Sequence, residues 1–161
     1  MKNLWSPWRM EYILSDKDKD CIFCNKPAQN NDRENLILYR GIKSYVIMNK
    51  YPYNNGHLMI VPYIHAWELN DLDNDIVSEL FILTKFSTQC LTRAFHPEGF
   101  NVGINIGAAA GAGIKEHLHI HVVPRWAGDT NFMPVIGEVR VIPEHILDTY
   151  DKLYPIFNML K

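Results

Sequence analysis

Seven residues late in the chain, His117-Leu118-His119-Ile120-His121-Val122-Val123, constrain the fold more than any other segment. Polar and apolar side chains alternate through them, the period of a half-buried strand and not of a helix. A strand over His117–Val123, stopped by Pro124, puts His117, His119 and His121 on one face. Leu118, Ile120 and Val122 then face a core. Three imidazoles do little to fill a core. They offer a nucleophile, donors to a phosphoryl oxygen, or metal ligands. The seven residues alone leave metal and phosphoryl chemistry both open.

Such a strand needs partners, and the chain supplies them. Leu36–Tyr39, Tyr45–Met48 and His57–Pro62 read as strands, the first two joined by a hairpin at Arg40–Lys43 and the third entered through the turn-rich Tyr51–Gly56. A fourth spans Phe100–Ile106. One long helix is predicted from an N-cap near Asn70, with Asp71 and Asp73 in its first turn. Its stripe is Leu72, Ile76, Leu80 and Leu83, flanked by Val77, Cys90 and Leu91, and Gly99 ends it after His96-Pro97. Cys90 reads as core filling. Gln29–Arg33 reads as a loop, and a last helix runs from about Pro143 into the Tyr150 region. Strands, a helix and more strands predict an antiparallel α+β domain. A chain of 161 residues suits one domain over 1–161. Residues 1–20 would form an extension whose Leu4–Arg9 part packs on the body, and 133–161 a C-terminal tail carrying the last helix.

Composition removes several function classes. Sixteen Lys+Arg against eighteen Asp+Glu argue against a wide surface for duplex nucleic acid. No run approaches the roughly 18 apolar residues of a membrane span, so no membrane partner is expected. Met1–Asp20 carries Lys2, Arg9 and Glu11, unlike a secretory signal. Three cysteines, an odd number, then read as reduced thiols in the cytoplasm.

Two further segments carry chemistry. Gly107–Gly113 holds no side chain larger than methyl, so its backbone N–H groups can approach an anion closely. A tight β-connection would also explain it, and it is not a Walker A loop. Cys21-Ile22-Phe23-Cys24 has metal-ligand spacing, but one pair is half a site. A redox pair and buried thiols are the alternatives. His96 and His145 read as surface residues.

The heptapeptide resembles the motif of the histidine-triad (HIT) family, His-φ-His-φ-His-φ-φ with φ hydrophobic, at every position. Asn49–His57 is similar to the family's Asn…Pro…Gly-His turn entering a strand. Leu4–Arg9 and Val123–Phe132 resemble one branch, the diadenosine tetraphosphate phosphorylases or ATP adenylyltransferases. The resemblance implies a five-stranded antiparallel sheet with one long helix and a C-terminal helix, in a homodimer. It implies a nucleotidyltransferase or hydrolase that acts at the α-phosphate of an adenine nucleotide or dinucleoside polyphosphate. His119 would be the nucleophile, forming a nucleotidyl-histidine intermediate. His121 and His57 would contact phosphate, Asn105 the α-phosphate region and Asn49 the ribose. Gly111, Ala112, Gly113 and Trp126 would complete the substrate site. It also implies a structural zinc held by Cys21, Cys24, His65 and His117. One departure stands out. Near Gly113 many relatives carry Ser or Gln, whose side chain reaches a phosphate oxygen. Both phosphate and water therefore stay open as acceptor. Phosphorolysis leads, hydrolysis or phosphoramidate cleavage follows, and a non-catalytic nucleotide-binding module or a zinc-stabilised interaction domain are the other readings.

Overall fold

A computed structural model describes residues 21–110, 117–129 and 144–159. Five strands form one sheet: β1 (Ile37–Arg40), β2 (Ser44–Met48), β3 (Leu58–Pro62), β4 (Gly99–Ile104) and β5 (Ile120–Arg125). Their order is β1-β2-β3-β5-β4, and every neighbouring pair is antiparallel. The α+β architecture expected from the sequence is therefore present. Among the described residues four α-helices accompany the sheet: α1 (Ile22–Ala28), α2 (Asp32–Asn35), α3 (Asn74–Phe95) and α4 (Ile146–Met159). Helix α3 packs across β2, β3 and β5, while α4 packs on β1 and on α3. Ile76, Leu80, Leu83, Cys90 and Leu91 of α3 are buried against Val46, Ile60, Ile120 and Val122 of the sheet. Among the described residues no helix is long and apolar enough to cross a membrane.

The ends of the long helix differ from the sequence reading. Residues Leu69–Asp71 form a separate 3₁₀ turn in which the Glu68 and Asp71 carboxylates reciprocally cap each other's backbone. The α-helix therefore starts only after Asp73, and it stops at His96, whose left-handed φ of 48° closes the last turn ahead of Gly99. Residues read as loop at Gln29–Arg33 include the start of α2. There Asp32 accepts Arg40 Nε at 3.1 Å and Nη2 at 2.7 Å.

The β1–β2 hairpin shows how helix and sheet lock together. Glu79 of α3 accepts the N–H groups of Ile42 at 2.8 Å and Lys43 at 2.6 Å. A Cβ at Gly41 would lie 2.7 Å from the Ser44 carbonyl oxygen and 2.9 Å from Glu79 Oε1. The turn thus needs glycine for space.

The histidine strand needs a correction. It was expected over His117–Val123 and stopped by Pro124, but β5 begins at Ile120 and runs through Pro124 to Arg125. His117 and His119 lie on the extended approach, where Leu118 N–H donates to the Ala66 carbonyl at 2.7 Å. Pro124 is tolerated because β3 pairs with β5 only at Ile120, His121 and Val122. Beyond Val122 one side of β5 has no ladder to donate to. The predicted alternation survives, with Leu118, Ile120 and Val122 all in the core.

Candidate functional site

Sheet register assembles the site. β3 and β5 pair Met59 with His121, which sets His57, one residue before β3, beside His121. β4 and β5 pair Ile104 with Ile120, so the next step of the same register sets half-buried Asn105 opposite His119. Phe23 of α1 closes the back, its ring 5.0 Å from that of His119 and 5.6 Å from that of His117. Tyr45 anchors this segment from below by donating its hydroxyl to the Phe23 carbonyl at 2.8 Å.

Backbone groups fix the proton on each imidazole. A carbonyl can only accept and an amide N–H can only donate, so the tautomers follow from the partners. His117 Nε2 lies 2.9 Å from the Pro62 carbonyl, and so carries the proton. His117 Nδ1 is then a bare lone pair. His119 Nδ1 lies 2.9 Å from the His117 carbonyl and carries its proton there, which leaves Nε2 bare. Tyr53 N–H donates to His57 Nδ1 at 3.1 Å. Tyr51 N–H donates to Asn49 Oδ1 at 2.9 Å, so the Asn49 amide nitrogen faces the same His57 Nδ1, 3.3 Å away. His57 is therefore protonated on Nε2 and donates to His121 Nδ1 at 3.0 Å. His121 in turn holds its proton on Nε2. The row thus presents one bare nitrogen, on His119, beside one N–H donor, on His121. The two rings are 4.7 Å apart.

Burial keeps His119 and His121 neutral. His119 is 5% exposed, and desolvation lowers its pKa, opposed by its bond to the His117 carbonyl. Desolvation, helped by the nearby His119, lowers His121 to about 4. A neutral imidazole keeps the lone pair that a nucleophile needs.

Two residues before His119 the same approach segment meets a different cluster. Cys21 Sγ lies 3.3 Å and Cys24 Sγ 3.5 Å from His117 Nδ1, and Cys24 Sγ lies 3.4 Å from His65 Nδ1. The four donor atoms all fall within 4.8 Å of one another. A tetrahedron with ordinary zinc–sulfur and zinc–nitrogen bond lengths has S···N edges of roughly 3.5 Å. The donor set fits a tetrahedral metal ion and can hold one. The His117 Nε2–H on the Pro62 carbonyl is the outer bond that orients a ligating imidazole. Desolvation and neighbouring Cys21 push the Cys24 thiol up to about 11. A divalent cation among the four donors reverses that balance.

The remaining sequence-predicted residues fall as follows. Asn49 follows β2 and touches His57. Gly107 takes a left-handed φ of 79° to open the small-residue loop, while Gly111, Ala112 and Gly113 lie outside the described residues. Trp126 stands past the far end of β5, five residues beyond His121, with its N–H on Asp129 at 3.2 Å. Cys90 is fully buried in the core. His96 is exposed, and exposed His145 accepts the N–H of Leu147 at the start of α4. Sequence reasoning missed Phe23, Tyr53 and Asp129. Phe23 has no periodic neighbours to mark it. Asp129 had a signal, since Arg125 stands four residues before it.

The HIT-domain family model matches residues 30–128. An AP-4-A phosphorylase of Mycobacterium tuberculosis is 43% identical over 157 aligned residues, covering 92% of this chain and 80% of its own. An adenylylsulfatase of Arabidopsis thaliana is 29% identical, over 72% of this chain and 60% of its own. Among solved structures, a zinc-bound histidine triad family protein of Mycobacterium smegmatis superimposes with a TM-score of 0.71 at 24% identity, covering 88% of this chain and 95% of its own. A hypothetical histidine triad nucleotide-binding protein of Sulfolobus tokodaii gives 0.67 at 30% identity, covering 86% and 90%. With its family motif, its sheet and its row of imidazoles in agreement, the chain belongs to the HIT family, among the family's nucleotidyltransferases and hydrolases.

Proposed function

We propose that the protein transfers the adenylyl group of a dinucleoside polyphosphate through His119, and that its reaction is phosphorolysis of diadenosine tetraphosphate. The observation that carries this reading is the pairing of a bare His119 Nε2 with a proton on His121 Nε2. The likeness to the AP-4-A phosphorylase, extending over most of both chains, supports the substrate class.

In the first step the His119 Nε2 lone pair attacks the α-phosphorus. The bond from that phosphorus to the bridging oxygen breaks, and ATP leaves with its electron pair. The His121 Nε2–H meets the charge growing on the departing side, the stabilisation that phosphoryl transfer most requires. Positive charge on the adenylylated His119 is relieved at Nδ1, whose proton already points at the His117 carbonyl. In the second step an oxygen of inorganic phosphate attacks the same phosphorus. The nitrogen–phosphorus bond breaks, ADP forms, and His119 Nε2 recovers its lone pair. Water as acceptor gives AMP. Asn49 and Asn105 are read as the ribose and α-phosphate contacts, in keeping with their places beside His57 and opposite His119.

The Cys21, Cys24, His65, His117 cluster is read as a structural zinc site. All four positions are filled by protein, so a bound ion would have no open position for substrate. Zinc there would hold the Cys21–Cys24 segment and His117 together.

The test is incubation with diadenosine tetraphosphate, with and without inorganic phosphate, followed by nucleotide chromatography. ADP plus ATP is expected, and H119A is expected to abolish both. AMP plus ATP at every phosphate level would make the enzyme a hydrolase. Retention of more than about a tenth of wild-type turnover by H119A, far above what loss of a covalent nucleophile allows, would remove His119 from the role.

A further inference from the structure

Proton placement in the site depends on the donors at His57 Nδ1: the Tyr53 N–H at 3.1 Å, and the Asn49 amide at 3.3 Å, which the Tyr51 N–H of the same turn orients. If that turn moved away, the shorter donor would be lost and the Asn49 amide freed to rotate, so His57 could place its proton on either nitrogen and His121 would no longer be held as an Nε2 donor. Side-chain hydrogen bonds hold the turn in place. Asn54 donates its side-chain amide to Asp129 Oδ2 at 2.8 Å and to the Pro124 carbonyl at 3.1 Å. Asp129, its side chain 9% exposed, receives Arg125 Nε at 2.5 Å and Nη2 at 2.8 Å, together with the Trp126 N–H. Arg125 is braced in turn by Nη1 on Asn101 Oδ1 of β4, at 2.8 Å. Gly128, with φ of 79°, makes the tight return that brings Asp129 back over the end of β5. On its other side the turn is tied to α4, where Asn55 Oδ1 accepts the Thr149 hydroxyl at 3.0 Å. That tether reaches neither β5 nor His121.

We propose that Asp129 is a positioning residue: with Arg125 it clamps Asn54 to the end of β5 and thereby fixes the direction of the hydrogen bonds from Tyr53 through His57 to His121. Asp129 touches neither ring and acts only through the turn. The proposal gives a use to the Arg125–Asp129 segment, which the histidine motif leaves unexplained. Its consequence for turnover rests on the reading of His119 and His121 above, whereas its consequence for the imidazole protons does not.

The experiment is nitrogen-15 NMR of ring-labelled histidines in the full chain, with single-turnover transfer from diadenosine tetraphosphate measured alongside. Wild type is expected to show His57 and His121 both protonated on Nε2 alone. D129N removes the charge that Arg125 and Asn54 converge on, and N54A removes only the turn's side of the clamp. In both, the His57 signals are expected to spread over two tautomers. The transfer rate constant should fall roughly tenfold with KM nearly unchanged, the size expected for a small misplacement of a reacting group. If both variants keep the wild-type tautomers, the proposal is overturned, whatever happens to their melting temperatures. If D129N fails to fold, N54A decides alone by the same criterion. If wild type turns over no dinucleotide, the functional reading falls and the tautomers still judge the clamp.

Discussion

Phe23 is the residue through which the cysteine segment touches His119, the proposed nucleophile, and its truncation should be felt in both stability and rate. The side chain is 1% exposed and sits between Cys21 and Cys24. Removing a buried Phe to Ala costs about 3–5 kcal/mol, a large share of the roughly 5–15 kcal/mol that holds a domain together. F23L is therefore the working variant. It keeps most of the volume, which limits the packing loss to about 1.5 kcal/mol. It also forfeits two ring contacts, with His119 and His117, each worth about 0.5–1.5 kcal/mol. With both ring contacts at the low end of that range the loss is about 2.5 kcal/mol, or roughly 5–10 °C in melting temperature for a chain of this size. The Tyr45 hydroxyl bond survives because it reaches the Phe23 backbone. Both cysteines remain, so metal content should not change. The His119 ring keeps its bond to the His117 carbonyl but loses the wall behind it, and adenylylation should slow by roughly tenfold. Calorimetry of the metal-loaded protein and single-turnover kinetics read the two effects. F23L with wild-type stability and an unchanged rate would refute the claim that this ring seats the nucleophile.

Metal analysis of protein purified without a histidine tag should find zinc at a one-to-one ratio to chain, and C21S should lose it and melt lower, because metal binding is coupled to folding; well-folded protein free of zinc would contradict the site. Burial and the neighbouring His119 lower His121 from 6.5 to about 4, so between those values the unfolded chain binds more protons than the folded one. The stability this residue contributes is complete above about pH 6.5 and is lost as pH falls toward 4, up to roughly 3 kcal/mol. Urea unfolding at pH 7 and pH 5 should show the loss, and H121N should flatten it; equal slopes in the two proteins would show that His121 is not buried neutral.

Much of this arrangement is legible in the sequence because it depends on alternation. Leu118, Ile120 and Val122 announce a strand with one apolar side, and the three histidines follow from the same period. The Cys-x-x-Cys spacing likewise announces a ligand pair. Hydrogen-bond partners three-dimensionally close but distant in sequence are not announced. The strand was predicted from His117 because side-chain alternation does not reveal where a neighbouring strand stops pairing. That limit is set by β3, which meets β5 only at Ile120, His121 and Val122. The start of α3 was predicted early for a similar reason. Asn70 and Asp71 have capping chemistry, but Asp71 spends it on the N–H groups of Trp67 and Glu68 in a preceding turn. Phe23 was invisible because one aromatic residue in a short helix has no pattern around it.

The opposite tautomers of His117 and His119 explain how the proposed ligand and the proposed nucleophile can sit two residues apart without competing. His117 turns Nδ1 toward the thiols because its Nε2–H is taken by the Pro62 carbonyl. His119 does the reverse, because its Nδ1–H is taken by the carbonyl of His117 itself. A metal ion bound there would hold the ring of the residue whose carbonyl orients His119, while His119 itself lies outside the four-donor cluster. A glutamine at position 119 could offer the His117 carbonyl an amide N–H, but its other atom would be an oxygen that cannot form the nitrogen–phosphorus bond. An asparagine at 117 would lose the ring that reaches both Pro62 and the cysteines at once. The requirement at each position is thus for imidazole specifically: two nitrogens held rigidly apart, one occupied by the backbone and one left free for chemistry.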